Sequence, residues 1–227
     1  MPFLTKLMQD EQKVASYSFI HSIATSLGMS VYEDVSLIIA KPHSERVDKK
    51  VKMNGTISTE QKSVIASIVT ELVNGTRKVN KDVETKEVLK ASSNNGKLQE
   101  HGKIADFFMK RNGKEYYFEI KTVKPNIDVF EESKTKLLEW IARKQKPIIT
   151  ILAFPYNPYH PEPYSRFTHR GVLETEKEFL IGEDYWDFLG GKGTFKDLMM
   201  VFDEVGKELH KDIMAKIDEV AKTKMKI

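Results

Sequence analysis

The stretch IADFFMKRNGKEYYFEIK, residues 104–121, is two alternating runs meeting at Asn112-Gly113. That dipeptide is a strong hairpin signal, because a two-residue type I′ turn needs positive φ at both central positions. With those two residues as the loop, Arg111 faces Lys114 and each further pair has residue numbers summing to 225. Asp106 then faces Glu119. Period two puts Ile104, Asp106 and Phe108 on one face with Tyr117, Glu119 and Lys121. Ala105, Phe107, Met109, Tyr116, Phe118 and Ile120 take the other, which the pattern assigns to the core. Like charges directly opposed across a ladder destabilise it, so the two carboxylates call for a cation between them. A three-residue loop with a bulge shifts this register by one and separates them.

Outward from the hairpin, apolar spacing predicts a helix over residues 9–27, stopped at Gly28, and a second over 31–40 before Pro42. KPHSERVDKKVKMNGT (41–56) reads as loop or a short extended piece. Helices follow over 59–73 and 81–91, and another covers 128–144. PIITILAF (147–154) is a continuous apolar strand, buried on both faces. PYNPYHPEPYSRFTHR (155–170) holds four prolines and three tyrosines and fits no regular element. KEFLIG suggests a strand, EDYWDFLGG a short helix, and Thr194 an N-cap for a long amphipathic helix over about 195–222. Together these give one α/β domain over 1–227, with a mixed central sheet flanked by helices, N-terminal helices over about 9–91 and a C-terminal helix.

The 227 residues carry a net charge of +3 and no cysteine. The absence of cysteine excludes disulfides, thiolate zinc sites and cysteine nucleophiles, and fits a cytoplasmic setting. No apolar run is long enough to span a membrane. The histidines are scattered without an HExxH pattern, and no GxSxG elbow is present. GGKGT (190–194) lacks phosphate-loop spacing and reads as a helix stop followed by a helix start.

Asp106, Glu119 and Lys121 therefore carry the chemistry. An Asp on one strand and Glu-x-Lys on the next is the arrangement of the PD-(D/E)xK nucleases. The carboxylates, with the Ile120 carbonyl, form a hard oxygen site suited to Mg²⁺. The metal polarises a phosphate and acidifies a bound water, and Lys121 orients that water and offsets developing charge. FEIKTVKPN (118–126), the Pro-Tyr segment and LIGEDYWDFLGGKGTFKDLMMVFDEVGKEL (180–209) resemble type II restriction endonucleases of the TdeIII type. The resemblance covers about residues 98–210 and extends to HSIATSLGMSVYEDVSLIIA (21–40).

That resemblance implies the restriction-endonuclease-like fold and Mg²⁺-dependent cleavage of double-stranded DNA at a short interrupted palindrome; one active site per chain cuts one strand, so cutting both strands of a symmetric site calls for a homodimer. The resemblance also implies a cognate DNA methyltransferase acting on the same site. Ala105 departs from the motif's proline. An early helix often adds an acid: Glu33, in a G-x-x-x-Y-E setting, is the first candidate, with Glu71 and Glu100 behind it. Lys124 and Asn126 are placed to touch backbone phosphates, and Arg166, His169 and Arg170 to enter a groove. Two other readings stay open: a structure-specific repair or mobile-element nuclease of the same fold, and a DNA-binding protein that does not cleave.

Overall fold

The computed structural model describes residues 2–98, 101–122, 127–164 and 171–222. The chain forms two compact units, Glu33–Thr194 and Met1–Tyr32 with Phe195–Ile227. The larger holds a five-stranded sheet in the order β1 (Arg46–Lys52), β4 (Ile104–Arg111), β5 (Lys114–Ile120), β6 (Ile149–Phe154), β7 (Phe179–Ile181). β1–β4 and β4–β5 are antiparallel, while β5–β6 and β6–β7 are parallel. β2 (Thr56–Ile57) and β3 (Lys97–Leu98) form a separate short ladder. This is the mixed sheet flanked by helices that the sequence predicts.

The β4–β5 turn is built as its dipeptide requires. Asn112 and Gly113 have φ of 51° and 73°, and the register runs from Arg111↔Lys114 to Phe107↔Phe118. The expected single core face is corrected: both faces are covered. Phe108 and Tyr117 are buried with Leu137, Trp140 and Ile141 of α6 (Ile127–Lys144), the crossover that parallel β5 and β6 require. On the opposite face Phe118 packs against Tyr185 and Phe188 of α8 (Glu183–Gly190), with ring centroids 6.2 Å apart in each case.

One more expectation is corrected. Gly28 does not stop its helix. α2 (Glu11–Ser26) runs through a π-type turn, Leu27–Val31, into α3 (Tyr32–Ala40), and Gly28 lacks the positive φ that would break it. Of the two readings of 41–56, loop or a short extended piece, the second holds for β1, whose five charges in seven residues suit an edge strand and hide it from periodicity.

Layered on α6 are α4 (Thr59–Val73) and α5 (Lys81–Lys90). α4 opens with a capping box, Ser58 and Gln61 each bonding the other's backbone. Buried charge ties the layer together. Lys134 Nζ lies 2.6 Å from both Glu84 of α5 and Glu178 of α7 (Thr175–Glu178). Lys81 Nζ is 2.8 Å from Glu178 and donates to Thr150 of β6 at 2.7 Å. Burial pushes the Glu178 carboxyl up, but Lys81 and Lys134 outweigh it and hold the pKa down at about 2.

The smaller unit contains α1 (Pro2–Met8), α2, the π-type turn and nearly all of α9 (Thr194–Lys222). No described side chain of α9 is buried. Phe202, Val205, Leu209 and Ile213 follow one another along its length, all exposed. Among the described residues no helix is long and apolar enough to cross a membrane.

Lys134→Ala takes the ammonium from buried Glu84, leaves Glu178 with Lys81 alone, and is expected to cost about 3–5 kcal/mol in urea unfolding at neutral pH. Glu178's folded pKa lies below its ordinary 4.5, so its contribution is present above that value and fades as pH falls towards about 2. The variant's acid unfolding should accordingly lose that limb.

Candidate active site

At Asp106 the regular pairing of β4 is interrupted on both flanks. The β4–β5 pairing stops at Phe107↔Phe118, one step short of Asp106 and Glu119. The β1–β4 pairing includes Lys49↔Phe107 and Val51↔Ala105 but omits Lys50, the residue facing Asp106. Lys50 sits at φ 54°, a left-handed conformation that costs a non-glycine residue about 1 kcal/mol or more. The Ile120 N–H donates to Asp106 Oδ2 at 2.7 Å. One residue on, the Lys121 N–H donates to Ala153 O at 2.9 Å, anchoring the end of β5 on β6. The carboxylates therefore stand at the carboxyl end of a parallel strand pair, where open α/β sheets ordinarily bind ligands.

Glu119 is 1% exposed, yet neither of its oxygens accepts an aligned hydrogen bond. Its Oε1 meets Lys121 Nζ at 2.8 Å and Lys136 Nζ at 3.4 Å. Lys121 lies on the same strand; Lys136 reaches in from α6. Glu33, in the first turn of α3, is 6% exposed with Oε2 unbonded and Lys50 Nζ 3.8 Å away. Glu33, Asp106, Lys50, His101, Lys103 and Lys136 line one open cavity of about 520 Å³.

Burial raises the Asp106 pKa despite the Ile120 hydrogen bond and Lys136. Burial likewise raises that of Glu33, against the pull of Lys50. For Lys121 burial works downward, but the Glu119 charge and hydrogen bonding carry the pKa above the usual lysine value.

Of the upstream acids, Glu33 shares the cavity with Asp106. Glu71 is occupied elsewhere, accepting from Ser67 and Arg77. Glu100, Lys124, Asn126, Arg166, His169 and Arg170 lie outside the described residues. Sequence reasoning missed Lys50, His101, Lys103 and Lys136. Lys50 hides in a charge run, and Lys136 is one of many helix lysines.

Among the described residues no three His, Cys, Asp or Glu side chains are grouped closely enough to hold a metal ion by themselves. A Mg²⁺ ion ordinarily needs only one or two carboxylates and keeps several waters. Asp106 and Glu119, the latter with both oxygens buried and free of aligned hydrogen bonds, fit that demand.

Residues 1–206 match the family described as type II restriction endonuclease, HinfI. The chain belongs to that family. The resemblance to type II restriction endonucleases read from the sequence is thereby borne out, with HinfI as the family specified. The chain is 27% identical to the type II restriction enzyme MjaII of Methanocaldococcus jannaschii, with 83% of this chain and 54% of that one covered. It is 26% identical to HgiEI and 25% to HgiBI, type II restriction enzymes of Herpetosiphon aurantiacus, with 83% of this chain and 71% of each relative covered. The chain thus spans about half the length of the first of these relatives.

A buried carboxylate with a raised pKa destabilises the metal-free fold at neutral pH, because the unfolded chain ionises more readily. Asp106→Asn keeps an oxygen for the Ile120 N–H and removes the charge. It should raise Tm by a few degrees at neutral pH in EDTA, on a scale of about 2–4 °C per kcal/mol. The gap should close as pH falls into the carboxylate range, where Asp106 protonates by itself. Differential scanning calorimetry across pH measures it.

Proposed function

We propose that this chain is a type II restriction endonuclease that hydrolyses phosphodiester bonds in both strands of duplex DNA at a short palindromic site, with Mg²⁺ as cofactor. Family membership supports the activity class. The observation that carries the chemistry is Asp106 and Glu119 near adjoining strand ends, with Glu119 buried and held by lysine ion pairs in place of aligned hydrogen bonds.

Asp106, Glu119 and the Ile120 carbonyl would hold the ion, with Glu33 completing the acidic wall. Mg²⁺ supplies Lewis acidity towards the phosphate and acidifies a water. Lys121, kept cationic by Glu119, orients the attacking water and offsets negative charge growing on the phosphate. Lys124 and Asn126 follow β5 in sequence and take backbone phosphates. Arg166, His169 and Arg170 of the Pro-Tyr segment reach a groove, where an arginine fork suits guanine. A nuclease with a short target also cuts its own genome, so a cognate DNA methyltransferase on the same site is its partner, and both work in the cytoplasm.

Asp106→Asn, Glu119→Gln and Lys121→Ala should each abolish cleavage while keeping the far-ultraviolet circular dichroism spectrum and duplex binding. Activity should vanish in EDTA, and Ca²⁺ should support binding without cutting. Digesting long unmethylated DNA with Mg²⁺ and sequencing the ends decides the class. Discrete fragments support restriction. Branch-directed cuts point to a repair nuclease, and tight binding without cleavage to a non-cleaving binder.

One active site cuts one strand, so a symmetric site is most simply cut by a two-fold dimer. The exposed apolar stripe of α9 is the surface we assign to it. Phe202→Glu with Leu209→Glu should shift sedimentation towards monomer, and nicked circles should accumulate in place of linear DNA.

A further inference from the structure

Two ammonium groups share a single oxygen of Glu119. Lys121 stands at 2.8 Å on the same strand, and Lys136 at 3.4 Å on a different element. Without a metal the carboxylates are faced by ammonium groups: Lys50 stands 3.8 Å from Glu33, and Lys121 and Lys136 both stand at Glu119. A divalent cation bound at Glu119 competes with both lysines for the carboxylate charge, and an ion that takes Oε1 displaces a lysine from it.

Lys121 is the more firmly held, at 2.8 Å from Oε1 against 3.4 Å for Lys136. Lys136 has a way out. Its ammonium rests 5.4 Å from the centre of the Trp140 ring, a weak hold that a cation gives up readily for an anion. The indole N–H of Trp140 donates to the Gly102 carbonyl at 2.7 Å, which fixes the ring. Gly102, at φ 66°, has no side chain, and a Cβ there would stand 3.6 Å from Lys136 Cγ. Lys136 also lines a second, smaller cavity of about 300 Å³ with His101, Asp128, Glu132 and Glu139, so its side chain borders both spaces.

We propose that Lys136 is a second lysine of the site, which neutralises Glu119 when no metal is bound and turns onto a phosphate of the DNA strand when a divalent ion takes its place. The inference rests on the nuclease reading and adds to it an order: the phosphate contact is made available by the metal. Lys136 is thus a competitor of the metal in the free protein and a partner of DNA in the loaded one.

The variant is Lys136→Gln, with Lys136→Arg as the charge-keeping companion. Both fall on a side chain that is 20% exposed, and thermal melting confirms the fold. The first readout is Mn²⁺ binding by calorimetry without DNA. Lys136→Gln should bind the ion about threefold to tenfold more tightly, because a competing charge within contact distance is gone. Lys136→Arg should stay near wild type.

The second readout is the salt dependence of binding to a short duplex carrying the mapped cut site. With Ca²⁺ present, Lys136→Gln should lower the slope of log K against log salt by about 0.9, one phosphate contact. In EDTA the slope should match wild type. Unchanged Mn²⁺ affinity, or an equal slope change with and without Ca²⁺, overturns the proposal while leaving the nuclease reading in place. Mn²⁺ binding that survives both Asp106→Asn and Glu119→Gln overturns both.

Discussion

The larger unit turns on one buried ammonium. Lys134 is fully buried, and its Nζ lies 2.6 Å from carboxylates of α5 and α7. Such a charge is tolerated inside a protein only with partners in good geometry. The contact therefore fixes how α6 lies on the sheet. Lys81 extends the same network to Thr150 on β6, so helix layer and strand are joined by polar contacts as well as apolar ones. Two residues beyond Lys134, a little over half a helical turn away, Lys136 arrives beside Glu119. The helix has a structural cation on one side and a site cation on the other, and the first aims the second.

The site itself is made where regular pairing is withheld. A complete ladder through Asp106 would tie that residue into an ordinary strand. Instead, pairing lapses on both sides of it, the Ile120 N–H turns to the carboxylate, and Lys50 takes a backbone conformation that strands avoid. Local backbone strain of this kind is held by surrounding structure and is characteristic of working sites. Here the holders are the sheet on either flank and the α6 and α8 layers above and below.

What the sequence reveals depends on how local the cause is. The hairpin register is legible because Asn112-Gly113 dictates its own turn, and from it the meeting of Asp106 with Glu119 follows by counting. β6 is legible because a doubly buried strand is apolar throughout. β1 is not: Val47 and Val51 stand four apart amid charges, and the segment becomes a strand only by docking on β4. Gly28 looks like a stop, yet glycine ends a helix only where the chain turns left-handed, and here it does not. The cavity residues Lys50 and Lys136 are brought to the acids by sheet order and helix placement, and their own neighbours in sequence carry no mark of it. Glu33 stood out for its turn-and-helix setting, and the cavity it shares with Asp106 comes from packing that no spacing rule encodes.

The charged edge has a consequence for how copies of the protein can meet. A sheet grows when a bare edge accepts another strand. On one edge lies β1, with Arg46, Asp48, Lys49, Lys50 and Lys52 along it; on the other lies β7, three residues long. Neither is a good template: the first repels a copy of itself, and the second offers few hydrogen bonds. Runaway strand-to-strand polymerisation is thereby discouraged at both ends, even though the sheet between them is rich in phenylalanine, tyrosine and isoleucine. The polar edge that conceals β1 from sequence reading is the same feature that keeps crowded molecules from fusing into fibres.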